Sequence, residues 1–290
     1  MKKLNGIIPA LLTPFASDGR INKKALRQLV KMNINKGVAG LYCCGSTAEA
    51  FLLSTDERKE IVETVTEEVN GRCAVIAHIG TISQETAIEL AKHAERAGAD
   101  AISSIPPFYY NFSFIEIKSY YYSIVDKVST PMIIYNFPAF SGVTLTAEKA
   151  SQFLCDERFI GIKHTSSDFY ALNSFKKSYP DKLVFNGYDE MFLSGLTMGA
   201  DGGIGSTFNF MAEQFIEIKK LFDEGHLNEA REIQTKVNNV IDVLCKVGVM
   251  PGEKAILNFM GLEFGVCRKP FKEITDEEIK LLKVAVTQLT

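Results

Sequence analysis

The chain has 290 residues, 46% of them hydrophobic and 23% charged. That composition excludes a disordered chain and leaves two small domains or one large α/β barrel with an extension. The formal net charge of -3, without any run of lysine and arginine, argues against a nucleic-acid binder, which carries a basic face.

In chain order, Lys2 and Lys3 precede an apolar stretch in the manner of a secretory leader. Pro9 and Pro14 interrupt it, and Ser17-Asp18-Gly19-Arg20 follows at once, so no leader is expected and the compartment expected is the cytoplasm. Short apolar or β-branched runs predict strands at 6–10, 40–43, 74–79, 101–105, 132–136, 159–163, 183–186 and 202–205. The last is weak taken alone, because it is rich in glycine. Amphipathic stretches between them predict helices at 22–36, 55–69, 84–97, 114–127, 147–153, 169–178 and 190–198. Ser54 with Asp56 and Glu57 is a helix start, a hydroxyl cap followed by first-turn acids. Segment 128–147 carries no charge up to Ala147 but contains Pro131, Asn136 and Pro138. It reads as a buried strand plus loop, not a membrane span. Beyond Phe208 the pattern is helical throughout, at 213–224, 227–246, 253–262 and 276–288.

Runs such as Ala74-Val75-Ile76 and Met132-Ile133-Ile134 are continuously apolar, as strands covered on both faces must be. Eight such runs alternating with helices predict an α/β fold, a (β/α)₈ TIM barrel. Periodicity by itself also allows an open doubly wound sheet. Residues 1–225 are expected to form the barrel and catalytic domain, and 226–290 a C-terminal helical extension packed on it.

A barrel places its chemistry at the C-terminal ends of the strands. Lys163 ends the sixth run. A lysine buried there loses its charge readily and becomes a nucleophile toward a carbonyl. The position suits equally a lysine that snorkels to the strand end and pairs with a carboxylate. Tyr135 ends the neighbouring fifth run, where a phenol can carry a proton or simply pack its ring. Gly45-Ser46-Thr47 ends the second run and offers backbone and hydroxyl donors suited to a carboxylate, or a plain turn with a helix cap. Gly187-Tyr188-Asp189-Glu190 follows the seventh run, with two acids able to grip sugar hydroxyls or to favour a helix N-terminus. Asp201-Gly202-Gly203-Ile204-Gly205-Ser206-Thr207 lacks the dinucleotide spacing and leaves room for a ligand near Ser206.

The six cysteines, Cys43, Cys44, Cys73, Cys155, Cys245 and Cys267, match neither a zinc spacing nor a redox pair and read as buried, reduced thiols. His78, His93, His164 and His226 are scattered, so no metal site is expected.

Taken together, these segments resemble a known family: the pyruvate-dependent class I aldolases that include dihydrodipicolinate synthase and N-acetylneuraminate lyase. Gly45-Ser46-Thr47-Ala48-Glu49 is similar to the family's pyruvate-carboxylate loop, Tyr135-Asn136-Phe137-Pro138 to its tyrosine motif, and Gly161-Ile162-Lys163-His164-Thr165-Ser166 to its Schiff-base strand. The resemblance covers almost the whole chain. It implies a Schiff base between Lys163 and pyruvate, with Ser46 and Thr47 holding the carboxylate and Tyr135 carrying the proton. Ser46 belongs to both the catalytic and the binding set. The resemblance also implies that Tyr109 enters from a neighbouring subunit of a homotetramer, that Thr165 touches the sugar, and that no metal or organic cofactor is used.

Within the family, Pro107-Phe108-Tyr109-Tyr110-Asn111, Asn186-Gly187-Tyr188-Asp189-Glu190 and the 199–207 segment resemble the sialic acid lyases. Asp189, Glu190 and Ser206 then stand where those lyases bind the polyol tail, with Gly187 in the same segment. The implied substrates are pyruvate, N-acetylmannosamine and N-acetylneuraminate. Phe140 stands where dihydrodipicolinate synthases typically carry an arginine, which disfavours that activity. A 2-keto-3-deoxy sugar acid aldolase, or a non-catalytic regulatory barrel, stays open. Two departures stand out. Ala48 replaces a usual glycine, harmless at negative φ and strained at positive φ. His164 stands where glutamine is expected.

Overall fold

The computed structural model describes residues 4–289; Lys2 and Lys3, weighed above as the head of a leader, lie outside them. Its strands are β1 (Ile7–Pro9), β2 (Gly40–Cys43), β3 (Ala74–His78), β4 (Ala101–Ser104), β5 (Met132–Asn136), β6 (Phe159–His164), β7 (Leu183–Asn186) and β8 (Gly202–Gly205). All pairs are parallel, in the order β1-β8-β7-β6-β5-β4-β3-β2. The circle closes through a parallel bridge between Ala10 and Tyr42, where Leu11 N–H donates to the Tyr42 carbonyl at 2.8 Å. That contact makes the sheet a (β/α)₈ barrel and eliminates the open doubly wound sheet.

The helices are α1 (Lys23–Asn35), α2 (Thr55–Val69), α3 (Gln84–Ala97), α4 (Phe114–Val125), α5 (Pro138–Ser141), α6 (Ala147–Leu154), α7 (Phe169–Ser178), α8 (Phe192–Thr197) and α9 (Phe208–Asp223). Three more follow the last strand: α10 (Leu227–Val247), α11 (Val249–Phe259) and α12 (Asp276–Thr287). Helix α2 starts as expected, with a full capping box between Ser54 and Glu57.

Several boundaries differ from expectation. Four-residue α5 lies in a stretch read as loop. It is too short to show a period, and Pro138 at its first position fits because that N–H has no helical partner. Helix α9 begins at Phe208, five residues early, because Phe208 to Ala212 are all buried, Asn209 included, and no exposed face gives the segment a helical period. Helix α11 begins at Val249 instead of 253; Pro251 falls in its first turn, where proline is tolerated. The helix expected at 190–198 divides into a 3₁₀ turn, Asp189–Met191, and α8. The cysteines also need correction. Among the described residues none of the six forms a disulfide, but Cys155 and Cys245 are exposed, at the end of α6 and on an outer face of α10. Among the described residues no helix is long and apolar enough to cross a membrane.

Two apolar layers share the strands. Ile8, Tyr42, Ile76, Ile133, Phe185 and Ile204 pack inside the barrel. Ile7, Leu41, Val75, Met132, Ile134 and Val184 face the helices. Strand β6 breaks this alternation. Met132 pairs with Phe159, but Ile133 pairs with Gly161, so Ile160 is an extra residue, a β-bulge. Ile160 packs with the interior cluster while Ile162, two positions on, packs with the helix side. In a regular strand those two would share a face. The bulge shifts the phase and turns Lys163 inward, opposite Tyr135.

Helix α11 is tied to the end of β2 by an ion pair sealed from water. Lys254 Nζ lies 2.6 Å from Glu49 Oε1, with the side chains 1% and 0% exposed, and Arg268 N–H donates to Glu49 Oε2 at 2.7 Å. Removing one member of such a pair strands the other charge, at a cost of about 3–5 kcal/mol. Lys254→Met is therefore expected to lose about that much stability in urea unfolding, and Glu49→Gln in the same background to recover part of it. Losses that simply add in the double variant would show that the pair does not act as a unit.

Candidate active site

Lys163 is 5% exposed at the mouth end of β6. Its Nζ lies 4.1 Å from the centroid of the Tyr135 ring and 4.7 Å from that of Tyr42. Burial brings the amine down from 10.5 to about 7, against the pull of the Asp189 carboxylate. Among the described residues the amine has no ion-pair partner, so the alternative of a lysine neutralised by a carboxylate at the strand end is excluded. Facing aromatic rings stabilise the cation only modestly compared with lost hydration. An amine with these surroundings is substantially neutral at physiological pH and nucleophilic.

Burial pushes the Tyr135 phenol up to about 12, opposed by the hydroxyls of Ser46 and Thr165 beside it. The phenol therefore holds its proton. Tyr42 was not singled out from the sequence, since an aromatic in mid-strand is ordinarily core. Its hydroxyl is engaged with Ser103 Oγ at 3.1 Å, leaving its ring face to Lys163.

The loop after β2 holds two 3₁₀ turns, Ser46–Ala48 and Ala50–Leu52, with both Ser46 and Thr47 half-buried. Its left-handed residues are Cys44 (φ 58) and Glu49 (φ 59), not Ala48. The methyl of Ala48 is thus unstrained, and its carbonyl is fixed by Thr13 Oγ1 at 2.9 Å. The first-turn N–H groups of Ser46 and Thr47 have no partner within the turn. With the two hydroxyls they form a donor set suited to a carboxylate.

Two histidines hold the rim as neutral latches. His78 Nδ1 lies 2.9 Å from the Cys44 carbonyl, and Ile105 N–H donates to His78 Nε2. His164 bonds Asn136 Nδ2 through Nδ1 at 2.8 Å and the Asp168 carbonyl through Nε2 at 3.0 Å. A carbonyl only accepts, so Nε2 carries the proton and Nδ1 must accept from the Asn136 amide. Burial lowers both imidazoles, His78 strongly. The residue at 164 therefore locks the loop carrying Thr165. Arg58, also missed, donates to the carbonyls of His78 and Gly80 from a buried position.

The other side of the mouth is acidic. Asp189 Oδ2 accepts from Thr207 N–H at 2.8 Å and from Thr207 Oγ1 at 2.6 Å, and burial raises its pKa to about 6. Gly205 is required here, because a Cβ would lie 1.9 Å from Asp189 Oδ1. Gly187 is required likewise: a Cβ would lie 1.9 Å from Thr165 Oγ1, a buried hydroxyl oxygen without a hydrogen bond of good geometry. Gln234 and Asn238 of α10 donate to the carbonyls of Asp189 and Glu190. Glu190 is half-buried, and Ser206 Oγ donates to Glu253 Oε1 at 2.7 Å.

Lys163, Tyr135, Ser46 and Thr165 are thus in one group, with Thr47, Gly187, Asp189, Glu190 and Ser206 around the same mouth. Tyr109 is not among them. It is 84% exposed, at φ 78, against Tyr110. Glu253, Gln234 and Asn238 escaped notice because they lie on helices far along the chain. Among the described residues no three His, Cys, Asp or Glu side chains converge as a metal site would require.

The model of the dihydrodipicolinate synthetase family matches residues 3–289. The chain belongs to that family. It is 45% identical to N-acetylneuraminate lyase of Rhizobium meliloti (strain 1021), over 98% of this chain and 95% of that protein. The structure of CdNal from Clostridium difficile in complex with mannosamine superposes with a TM-score of 0.96 at 40% identity, covering 99% and 100% of the two chains. A catalytic lysine mutant of Ruminococcus gnavus sialic acid aldolase superposes with a TM-score of 0.96 at 33% identity, covering 100% and 97%.

The amine can be titrated directly. With Lys163 carrying ¹³C-methyl groups, its resonance is expected to shift with a midpoint near pH 7. Asp189→Asn should move the midpoint lower, because the carboxylate favours the cation. A midpoint near the ordinary lysine value would show that the side chain is hydrated.

Proposed function

We propose that this protein is an N-acetylneuraminate lyase, a carbon–carbon lyase that reversibly converts N-acetylneuraminate to N-acetylmannosamine and pyruvate through a Schiff base on Lys163. The observation that carries this reading is the desolvated Lys163 amine, facing the protonated Tyr135 beneath a carboxylate-binding loop. The likeness to named N-acetylneuraminate lyases over the full chain supports the choice of substrate.

In the cleavage direction, neutral Lys163 Nζ attacks C2 of the open-chain keto acid and water leaves, giving a protonated imine. Ser46 and Thr47 hold the carboxylate. The C4 hydroxyl proton passes to the Tyr135 oxygen while Tyr135 hands its own proton to the substrate carboxylate. A phenol near 12 suits such a relay, since it never has to exist as a free phenolate. The C3–C4 bond breaks, its electrons move to the iminium nitrogen, and the aldehyde of N-acetylmannosamine departs. The enamine takes a proton at C3 and is hydrolysed to pyruvate. The lysine is itself the electron sink, so the scheme needs no metal or organic cofactor.

Thr165, Gly187, Asp189, Glu190 and Ser206 would receive the sugar. Tyr109, exposed on its own chain, would complete the site of a neighbouring subunit in a cytoplasmic homotetramer. Phe140, 68% exposed and packed 4.2 Å from the Phe137 ring, makes that rim apolar. An apolar rim is unsuited to the second carboxylate a dihydrodipicolinate synthase must bind.

Borohydride trapping with pyruvate tests the chemistry. One adduct on Lys163 is expected, none in Lys163→Ala, and a trapping rate that rises with pH through about 7 as the amine loses its proton. Adduct formation in the alanine variant would overturn the assignment. A panel of aldehydes with pyruvate tests the substrate. Poor product from N-acetylmannosamine beside good product from a simple sugar aldehyde would favour a 2-keto-3-deoxy sugar acid aldolase.

A further inference from the structure

We propose that Glu253, on the C-terminal helix α11, is a positioning residue of the sugar subsite that acts through Ser206. The inference rests on the lyase reading above and extends the subsite to a residue outside the barrel strands.

Glu253 is completely buried, with 0% of its surface exposed. Among the described residues its carboxyl has one hydrogen bond of good geometry, from Ser206 Oγ at 2.7 Å to Oε1, and Oε2 is buried without a partner. A carboxyl group kept there is costly, and an apolar side chain of similar volume would avoid that desolvation. Burial holds its pKa well above the ordinary carboxylate range, with the nearby Asp189 pushing the same way. What the carboxyl does in return is orient one hydroxyl. Ser206 stands at the end of β8, half-exposed at the mouth, and a serine hydroxyl has one proton and two lone pairs. Directed at Glu253, that proton is withheld from the ligand, and the serine presents lone pairs to a sugar hydroxyl. Asp189 Oδ2 is occupied by Thr207, so the acceptor face there is completed by Ser206 and the remaining Asp189 oxygen.

The neighbouring residue supports a division of labour. Lys254 reaches the loop after β2, with β1 between it and β8, pairing with Glu49 at the carboxylate loop. One turn of α11 therefore supports both halves of the site: Lys254 the keto-acid end, Glu253 the sugar end.

The test is steady-state kinetics of the condensation with pyruvate and N-acetylmannosamine, using Glu253→Leu, Glu253→Gln, Ser206→Ala and the double variant Ser206→Ala/Glu253→Leu. Loss of one orienting hydrogen bond in Glu253→Leu should raise KM for N-acetylmannosamine about three- to tenfold. KM for pyruvate and the rate of borohydride trapping should stay at native values. Glu253→Gln, whose amide can still meet the serine, should restore KM. In the Ser206→Ala background Glu253→Leu should add nothing, a coupling that a purely structural role would not show. A native KM for N-acetylmannosamine in Glu253→Leu, an equal rise for both substrates, or additive losses in the double variant would each overturn the proposal. A native protein that traps pyruvate but does not condense it with N-acetylmannosamine would overturn the lyase reading, and this inference with it.

Discussion

An ammonium group with no carboxylate against it is poorly tolerated inside a protein, and the mouth of this barrel is organised around that fact. Lys163 reaches the interior only because the bulge at Ile160 reverses the facing of β6. Once there, it meets ring faces in place of water. Asp189 is close enough for its field to matter and does not form an ion pair. A carboxylate in contact would favour the cation and remove the nucleophile; complete isolation would lower the amine further still. The site sits between those limits.

The groups around the amine are held by interactions that do no chemistry. His78 and His164 are locked as neutral imidazoles between carbonyl and N–H or amide partners. Their burial keeps them from adding positive charge beside Lys163. The buried Glu49–Lys254 pair fixes the Ser46–Thr47 loop from behind, and Gln234 and Asn238 fix the backbone of the acidic turn. Except for His164, which holds the loop that follows its own strand, each of these supports comes from a different element than the residue it steadies. Helices α10 and α11, which follow the barrel, are thus part of the site's frame. Loops on a barrel rim are free to vary, and precise placement of reacting groups needs such outside supports.

Much of the architecture was legible because it depends on local pattern. Strands β2, β5 and β7 and helices α2, α3 and α7 match their expected bounds, since each is a run long enough to show apolar character, period or cap, and glycine-rich β8 matches because its place in the alternation marks it. Pattern fails for two separate reasons: the start of α9 is buried on every side, Asn209 included, and α5 is shorter than two turns. The loop around Ala48 shows a different limit. The sequence poses the question of its φ, and the answer lies at Cys44 and Glu49, which carry the left-handed turns themselves.

From the order of residues alone follow the alternation of strand and helix, the placement of Lys163, Tyr135, Ser46, Asp189 and Ser206 at strand ends, and the family those motifs resemble. These are properties of neighbours in the chain, written in side-chain type and spacing. Only the tertiary structure decides which way Lys163 faces, that Tyr42 lies over it, that His164 is a latch, and that Glu253 meets Ser206 across 47 positions. Such facts depend on register, closure and the docking of distant helices. Desolvation, the force that prepares the amine, exists only once those surfaces have closed around it.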